Sequence, residues 1–280
     1  MMKLVYHIKE LTELLRSPES SQTIGFVPTM GALHKGHLSL VEKAMAENDR
    51  VVVSIFVNPT QFNDKRDLER YPRNLDADLQ LLKTVGCPVV FYPSVEEIYP
   101  GADNRQYDLG GLDRMMEGKF RPGHFKGVAQ VVSRLFDIVR PGRAYFGLKD
   151  FQQLAIIRYL TAQMKWPVEI IGCPIVREAN GLAMSSRNEL LSEEERENAS
   201  VIYRTLDMAR RLKESYSVKE LEDWIITEIN KNPFMDVEYV EIVDADTLQP
   251  AGSRGGKGTK VACVAVWCGK IRLIDNMVFN

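Results

Sequence analysis

Apolar residues in the first two thirds of the chain come in short β-branched runs separated by stretches with helical spacing. IGFVPT at 24–29 and RVVVSIFVN at 50–58 read as strands, with a helix from about His37 to Glu47 between them. Runs that are apolar on both faces are what a parallel sheet requires, because helices cover it from both sides. The alternation continues with LDADLQLLKTV as helix, PVVFYP as strand, GVAQVVSRLFDIV as helix, RAYFGLK as strand, FQQLAIIRYLTAQMK as helix and VEIIGCPI as strand. Strands joined by helix-length crossovers predict an α/β fold, a Rossmann-like doubly wound parallel sheet with its ligand crevice at the carboxyl ends of the strands.

The pattern changes near residue 176. GLAMSSRNEL is a polar loop, and Ser192 with Glu195 forms a capping box ahead of helices at roughly 193–214 and 217–231. DVEYVEIVD, KVACVAVWC and IRLIDNMVF then read as antiparallel strands. The expected division is residues 1–176 as a Rossmann-like domain and 177–280 as a smaller C-terminal α+β lid domain. The loop GSRGGKGTK lacks the P-loop spacing and precedes a strand, so it reads as a flexible turn. The Gly- and charge-rich stretch from Tyr99 to Phe125 reads as a mobile excursion over the sheet edge or crevice.

Composition narrows the class. Hydrophobic residues make up 45%, charged residues 26%, and the formal net charge is −2, so nothing electrostatic points to nucleic acid. No apolar run reaches the ~18 residues of a membrane span, and the N-terminus lacks a signal-peptide pattern, so a cytoplasmic protein with no membrane partner is expected. Cys87, Cys173, Cys263 and Cys268 show no CxxC spacing and read as buried reduced thiols.

Four segments carry candidate chemistry. In PTMGALHKGH, from Pro28 to His37, two histidines sit in a Gly-bracketed turn between a strand and a helix. A helix N-terminus offers unpaired N–H groups and partial positive charge, so phosphate is the natural guest. Gly31 and Gly36 let the backbone turn and approach it. His34 and His37, three apart on one face, could stabilise a departing pyrophosphate, and HxxH could alternatively hold zinc if a third ligand were present. In FGLKDFQQL, Lys149 can reach phosphate oxygens, Asp150 can cap the helix or touch a ribose or metal, and Gln153 would point to the crevice.

MSSRN, from Met184 to Asn188, offers two hydroxyls and a guanidinium to a triphosphate, although such a cluster can equally be solvated loop. In SIFVNPTQF, the amides of Asn58 and Gln61 suit a small hydroxylated carboxylate, or else satisfy backbone in a proline turn. Asp76 and Asp78 could reach a magnesium ion or simply line a solvated helix face. A nucleotidyltransferase acting on a phosphate substrate, or a catalytically silent nucleotide sensor, would share part of this pattern.

Taken together, PTMGALHKGH, VNPTQF, FGLKDFQQL and CPIVREANGLAMSSRN closely resemble the pantothenate synthetase family, and YPRNLDADL, RPGHFKGV and the terminal RLIDN extend the likeness over nearly the whole chain. The HxGH turn with a later MSSR element is shared more widely among adenylate-forming nucleotidyltransferases, whereas VNPTQF and KDFQQ narrow the match. The resemblance implies a homodimer that condenses pantoate with β-alanine using ATP and Mg²⁺, through a pantoyl adenylate. It assigns ATP to Met30, Gly31, Ala32, Leu33, His34, Lys35, Gly36 and His37, with His37 as proton donor. Gly147, Leu148, Lys149, Asp150, Val176, Met184, Ser185, Ser186 and Arg187 would complete that set, with Lys149, Ser185, Ser186 and Arg187 among them assisting catalysis. Gln61 and Gln153 would hold pantoate, with Gln61 also near β-alanine, and Asn58 joins them on the amide chemistry read above. Leu148 stands where the family pattern expects a polar residue, and the protein ligands of the metal are left unassigned.

Overall fold

The computed structural model describes residues 2–16, 22–63, 65–101, 103, 105–252 and 258–279. The chain divides into two compact units, Met1–Leu148 with Ile156–Pro174, and Lys149–Ala155 with Ile175–Asn280. Residues 253–257 of the glycine-rich turn lie outside the described residues.

The first unit runs β1 (Lys3–Val5), α1 (Ile8–Leu15), β2 (Ile24–Thr29), α2 (Lys35–Glu47), β3 (Arg50–Ile55), α3 (Lys65–Arg70), α4 (Leu75–Thr84), β4 (Val89–Phe91), α5 (Val95–Ile98), α6 (Met116–Phe120), α7 (His124–Val139), β5 (Arg143–Gly147), α8 (Phe151–Met164) and β6 (Glu169–Cys173), with residues 151–155 of α8 grouped in the second unit. All six strands are parallel, in the order β1-β4-β3-β2-β5-β6. Val27, Val51, Val53 and Val90 form one core with Leu38, Val41 and Ala44 of α2 and Leu82 of α4. On the opposite face Phe26 meets Phe136 of α7 edge to face at 6.4 Å, and α1 packs on α7. Each such aliphatic side chain contributes about 1.5–3 kcal/mol on burial, which explains why β3 is apolar on both faces.

The strand order reverses at β2, which makes the tips of β2 and β5 the topological switch point. β2 pairs with β3 along its whole length, from Ile24–Arg50 to Thr29–Ile55, and β5 pairs with β6 from Arg143–Glu169 to Gly147–Cys173. Between β2 and β5 only Gly25–Arg143 and Phe26–Ala144 pair. The sheet therefore opens toward the carboxyl ends of its two central strands.

The local differences from the sequence reading have simple causes. Strand β3 stops at Ile55 because Asn58 caps a short 3₁₀ turn, Pro59–Gln61. Residues 3–15, to which periodicity assigned no element, form β1 and α1. The expected mobile excursion between Tyr99 and Phe125 is packed: Leu109, Leu112 and Met116 are buried, and Asp103 pairs with Arg105 and Arg134 at 2.8 Å each.

In the second unit, α9 (Glu193–Asn198) precedes α10 (Val201–Leu212) and α11 (Val218–Asn230), and α10 and α11 pack on the antiparallel sheet β7 (Met235–Asp244), β8 (Lys260–Cys268) and β9 (Ile271–Phe279). The helix expected from 193 to 214 is interrupted at Ala199 and Ser200. The Ser192–Glu195 capping box is present, with bonds of 2.8 and 3.1 Å, and a second one joins Ser217 to Glu220. All four cysteines are buried, and none is in a disulfide. Burial pushes Cys87 up to about 12 and Cys173 and Cys268 up to about 11, so these thiols stay protonated near neutrality and offer no nucleophile.

Candidate active site

The β2–α2 turn is held in a left-handed path. Gly31 has φ +78° and Ala32 φ +49°, a conformation that leaves the Ala32 and Leu33 N–H groups pointing away from the helix ladder. Both are taken by one carboxylate, Asp78 of α4, at 3.0 and 2.7 Å. Asp78 is 3% exposed, and burial raises its titration above the ordinary aspartate range while the two N–H bonds oppose that rise. Asp76 is exposed, as a solvated helix face requires, whereas Asp78 is not. The signal was available in LDADLQLLKT, where Asp78 falls on the same helical stripe as Leu75, Leu79 and Leu82.

His34 is the N-cap of α2, and the two imidazoles cap it reciprocally. Gly36 N–H donates to His34 Nδ1 at 3.1 Å, and His34 N–H donates to His37 Nδ1 at 3.3 Å. Because Nδ1 accepts in each ring, the neutral imidazoles carry their protons on Nε2, an assignment made from the hydrogen-bond pattern. The rings lie 4.1 Å apart between centroids. Two Nε2–H donors at the N-terminus of a 13-residue helix form an arrangement for an anion.

The neighbouring strand tip brings Gln61 to the same turn. Gln61 Nε2 contacts Met30 Sδ at 2.7 Å, so VNPTQF and PTMGALHKGH meet. Asn58 is 1% exposed, and its amide works inside the framework. Its Nδ2 donates to Gln61 Oε1 and Gly127 O at 3.3 and 3.1 Å. Its Oδ1 accepts from Thr60 N–H, Thr60 Oγ1 and Tyr99 OH at 3.3, 3.1 and 3.0 Å. His124 of α7 was not singled out by sequence reasoning, yet its Nδ1 lies 2.8 Å from the Gln61 carbonyl. Since a carbonyl only accepts, this ring carries its proton on Nδ1. Helix α7 approaches this closely because residue 127 is glycine: a Cβ there would lie 2.4 Å from the Thr60 carbonyl oxygen.

At the tip of β5, Gly147 pairs with Cys173, and the Leu148 N–H donates to the Cys173 carbonyl at 2.8 Å. Leu148 thus continues the sheet through its backbone.

The other sequence candidates belong to the second unit. Lys149 and Gln153 are partly exposed, and Asp150 is exposed just before α8. Val176 to Met184 form a tight hairpin, with Met184 N–H on Val176 O at 3.0 Å and Glu178 N–H on Leu182 O at 2.8 Å. The hairpin delivers Ser185, which caps the 3₁₀ turn Ser186–Leu190 by accepting from Arg187 N–H. Met184 to Arg187 are partly exposed, while Asn188 is buried and donates to Glu178 Oε1 and Ala183 O at 2.7 and 3.1 Å. Arg196 grips the same Glu178 carboxylate with two bonds, at 2.8 and 2.9 Å. Among the described residues no group of three or more His, Cys, Asp or Glu side chains could hold a metal ion.

A parallel sheet opened at its switch point, with a two-histidine helix N-terminus at one strand tip and buried amides at the next, defines a nucleotide-handling α/β enzyme. The pantoate-beta-alanine ligase family model matches residues 3–278, and the chain belongs to that family. The pantothenate synthetase of Phocaeicola vulgatus is 56% identical, with both chains covered in full. The crystal structure of pantothenate synthetase from Thermus thermophilus superposes with a TM-score of 0.90 at 44% identity, over 99% of each chain. The Francisella tularensis ligase, described as complexed with beta-gamma ATP and beta-alanine, gives a TM-score of 0.83 at 38% identity, over 99% of this chain and 98% of its own. Six-stranded parallel and three-stranded antiparallel sheets accord with the α/β class expected from the sequence.

Proposed function

We infer that the chain condenses pantoate with β-alanine at the expense of ATP, releasing AMP and pyrophosphate. The observation that carries this reading is the reciprocally capped His34–His37 pair beside the Met30–Gln61 contact, in a chain that matches the ligase family almost end to end.

A pantoate carboxylate oxygen attacks the α-phosphorus of ATP, a new P–O bond forms, and pyrophosphate leaves. Attack by the β-alanine amine on the acyl carbonyl then forms the C–N bond, the amine loses a proton, and AMP departs. Neither step calls for a covalent bond to the protein, in keeping with cysteines held as thiols. His34 and His37 donate through Nε2 to the departing pyrophosphate, with His37 as the proton donor. Lys149, Ser185, Ser186 and Arg187 neutralise phosphate charge. Met30 to Leu33, Lys35, Gly36, Gly147, Leu148, Asp150, Val176 and Met184 line the nucleotide. Gln61 and Gln153 hold pantoate, and Asn58 acts by fixing the Gln61 amide, since its own donors and acceptor are engaged with neighbours.

ATP enters as its Mg²⁺ complex. The ion would supply charge neutralisation at the phosphates, beside Lys149 and Arg187. No helix among the described residues is long and apolar enough to cross a membrane, and support for a cytoplasmic homodimer comes from the family alone.

The deciding experiment is exchange of labelled pyrophosphate into ATP. Exchange that requires pantoate and proceeds without β-alanine is the expected result. Exchange that needs β-alanine would refute the stepwise order, and AMP release independent of pantoate would refute the substrate.

A further inference from the structure

The C-terminal strand β9 carries a buried acid and a buried amide side by side, Asp275 and Asn276, each 4% exposed. Successive residues on a strand face opposite sides of the sheet, and these two hold different segments. Asp275 Oδ2 accepts from Arg177 Nη1 at 2.6 Å, and Oδ1 accepts from Arg177 Nη2 at 3.0 Å. The same guanidinium donates to the Gly181 carbonyl at 3.1 Å and lies 4.3 Å from the centre of the Tyr203 ring. Gly181, at φ +96°, has no room for a side chain, since an added Cβ would sit 2.4 Å from that ring. Arg177 lies on the first arm of the Val176–Met184 hairpin, bridges through its backbone to Ala183 on the second, and with its guanidinium ties the turn at Gly181 to β9. Asn276, facing the other way, donates through Nδ2 to the carbonyl of Lys149 at 3.0 Å.

Two segments that are about thirty-five residues apart in the chain, Lys149 and Ser185–Arg187, thus take their positions from adjacent residues of one strand. The backbone joins the two anchors rigidly, because Asn276 N–H also donates to Asp275 Oδ1 at 2.8 Å. The arrangement is more than a generic buried ion pair, whose removal would affect folding alone. Asn276 reaches the Lys149 carbonyl, and Asp275 reaches the hairpin that leads into Ser185–Arg187, the two segments to which the phosphate role is ascribed above.

We propose that Asp275 and Asn276 are positioning residues for the nucleotide, setting the spacing between Lys149 and the Ser185–Arg187 turn without touching the substrate. The proposal rests on the reading that these two segments hold the triphosphate. Displacement of a catalytic group by about 1 Å can cost about 10²-fold in rate, so a single lost anchor is measurable.

The test uses the full-length enzyme with Asn276→Ala, Asp275→Asn and Lys149→Ala, each assayed at a temperature well below its own melting point. Loss of folded enzyme lowers kcat and leaves KM values in place, so the KM for ATP is the discriminating readout. Asn276→Ala removes one hydrogen bond and serves as the deciding variant if Asp275→Asn does not fold. Expected is a rise of about tenfold or more in the ATP KM for the β9 variants, with the pantoate KM changed by less than about twofold. An ATP KM within about twofold of wild type in Asn276→Ala, while Lys149→Ala is impaired for ATP, overturns the positioning role and leaves the phosphate assignment standing. An unaltered ATP KM and kcat in Lys149→Ala overturns the phosphate assignment itself, and the proposal with it.

Discussion

Asp78 accepts the backbone N–H of Leu33 at 2.7 Å, from a helix 45 residues further along the chain. With the second bond to Ala32, this one carboxylate holds the turn that presents both imidazoles. Asp78→Asn replaces two acceptor oxygens by one and leaves a buried N–H without a partner, at a cost of about 1–3 kcal/mol. The expected result is lower stability in urea together with a fall in kcat/KM for ATP. The pH dependence follows from the raised titration of Asp78. A carboxyl whose folded-state pKa lies above its unfolded value contributes most below the unfolded pKa and loses that contribution as pH rises through the folded one. The wild type's advantage over Asp78→Asn should therefore widen on acidification through that window. An advantage that narrows there would show that the ionised form, and not burial, dominates.

His37→Ala removes both an Nε2–H donor and the acceptor for the His34 N–H. Loss of an N-terminal cap costs about 0.5–2 kcal/mol, whereas loss of a proton donor in the transition state typically costs about 10²–10⁴ in rate. Turnover should collapse while the thermal midpoint moves by a few degrees. Equal free-energy losses in the two measurements would assign His37 to helix capping only.

Gly127→Ala places a methyl group 2.4 Å from the Thr60 carbonyl oxygen and 2.6 Å from the Gln61 Cα. Backbone, not a flexible side-chain end, stands in the way, so α7 or the Pro59–Gln61 turn must shift. The KM for pantoate should rise by about tenfold or more, as expected for a lost ground-state contact, with the KM for ATP affected less. Unchanged pantoate kinetics would dissociate Gln61 from the carboxylate substrate.

Asp103 is held well below the usual carboxylate range, first by its hydrogen bonds to the Arg105 guanidinium, with Arg134 adding to the effect. For a depressed folded-state pKa the stabilisation is present above the unfolded value, near 4, and is lost as pH falls through the folded one. Asp103→Asn should destabilise the enzyme at neutral pH and by progressively less on acidification below about pH 4. Denaturant midpoints across that range measure it, and a deficit independent of pH would exclude the ion pairs as its source.

Periodicity alone made strands β2 to β6, helices α2, α4, α7 and α8 and the three C-terminal strands legible, because a residue's pattern of neighbours along the chain sets which face of its element is apolar, whereas the short helices α3, α5 and α6 carry too few turns to show a period. The histidine turn was legible too, since glycines, a strand end and a helix start are adjacent in sequence. The Ser192–Glu195 box is likewise a local event, and it formed as its spacing dictates.

What the tertiary structure decided are the contacts between segments far apart in the chain. Asp78 on Leu33, His124 on the Gln61 carbonyl, and Asp275 on Arg177 span 45, 63 and 98 residues. No local propensity encodes such pairings, and in each case the sequence shows only a polar residue where burial would favour an apolar one. Burial makes each partner necessary, because an ionised or hydrogen-bonding group removed from water must find its complement within the fold. The sequence by itself thus determined the elements and the chemical groups at their ends. The three-dimensional arrangement determined which buried polar residues hold those groups in place, since only folding brings a desolvated donor and its acceptor within 3 Å of one another.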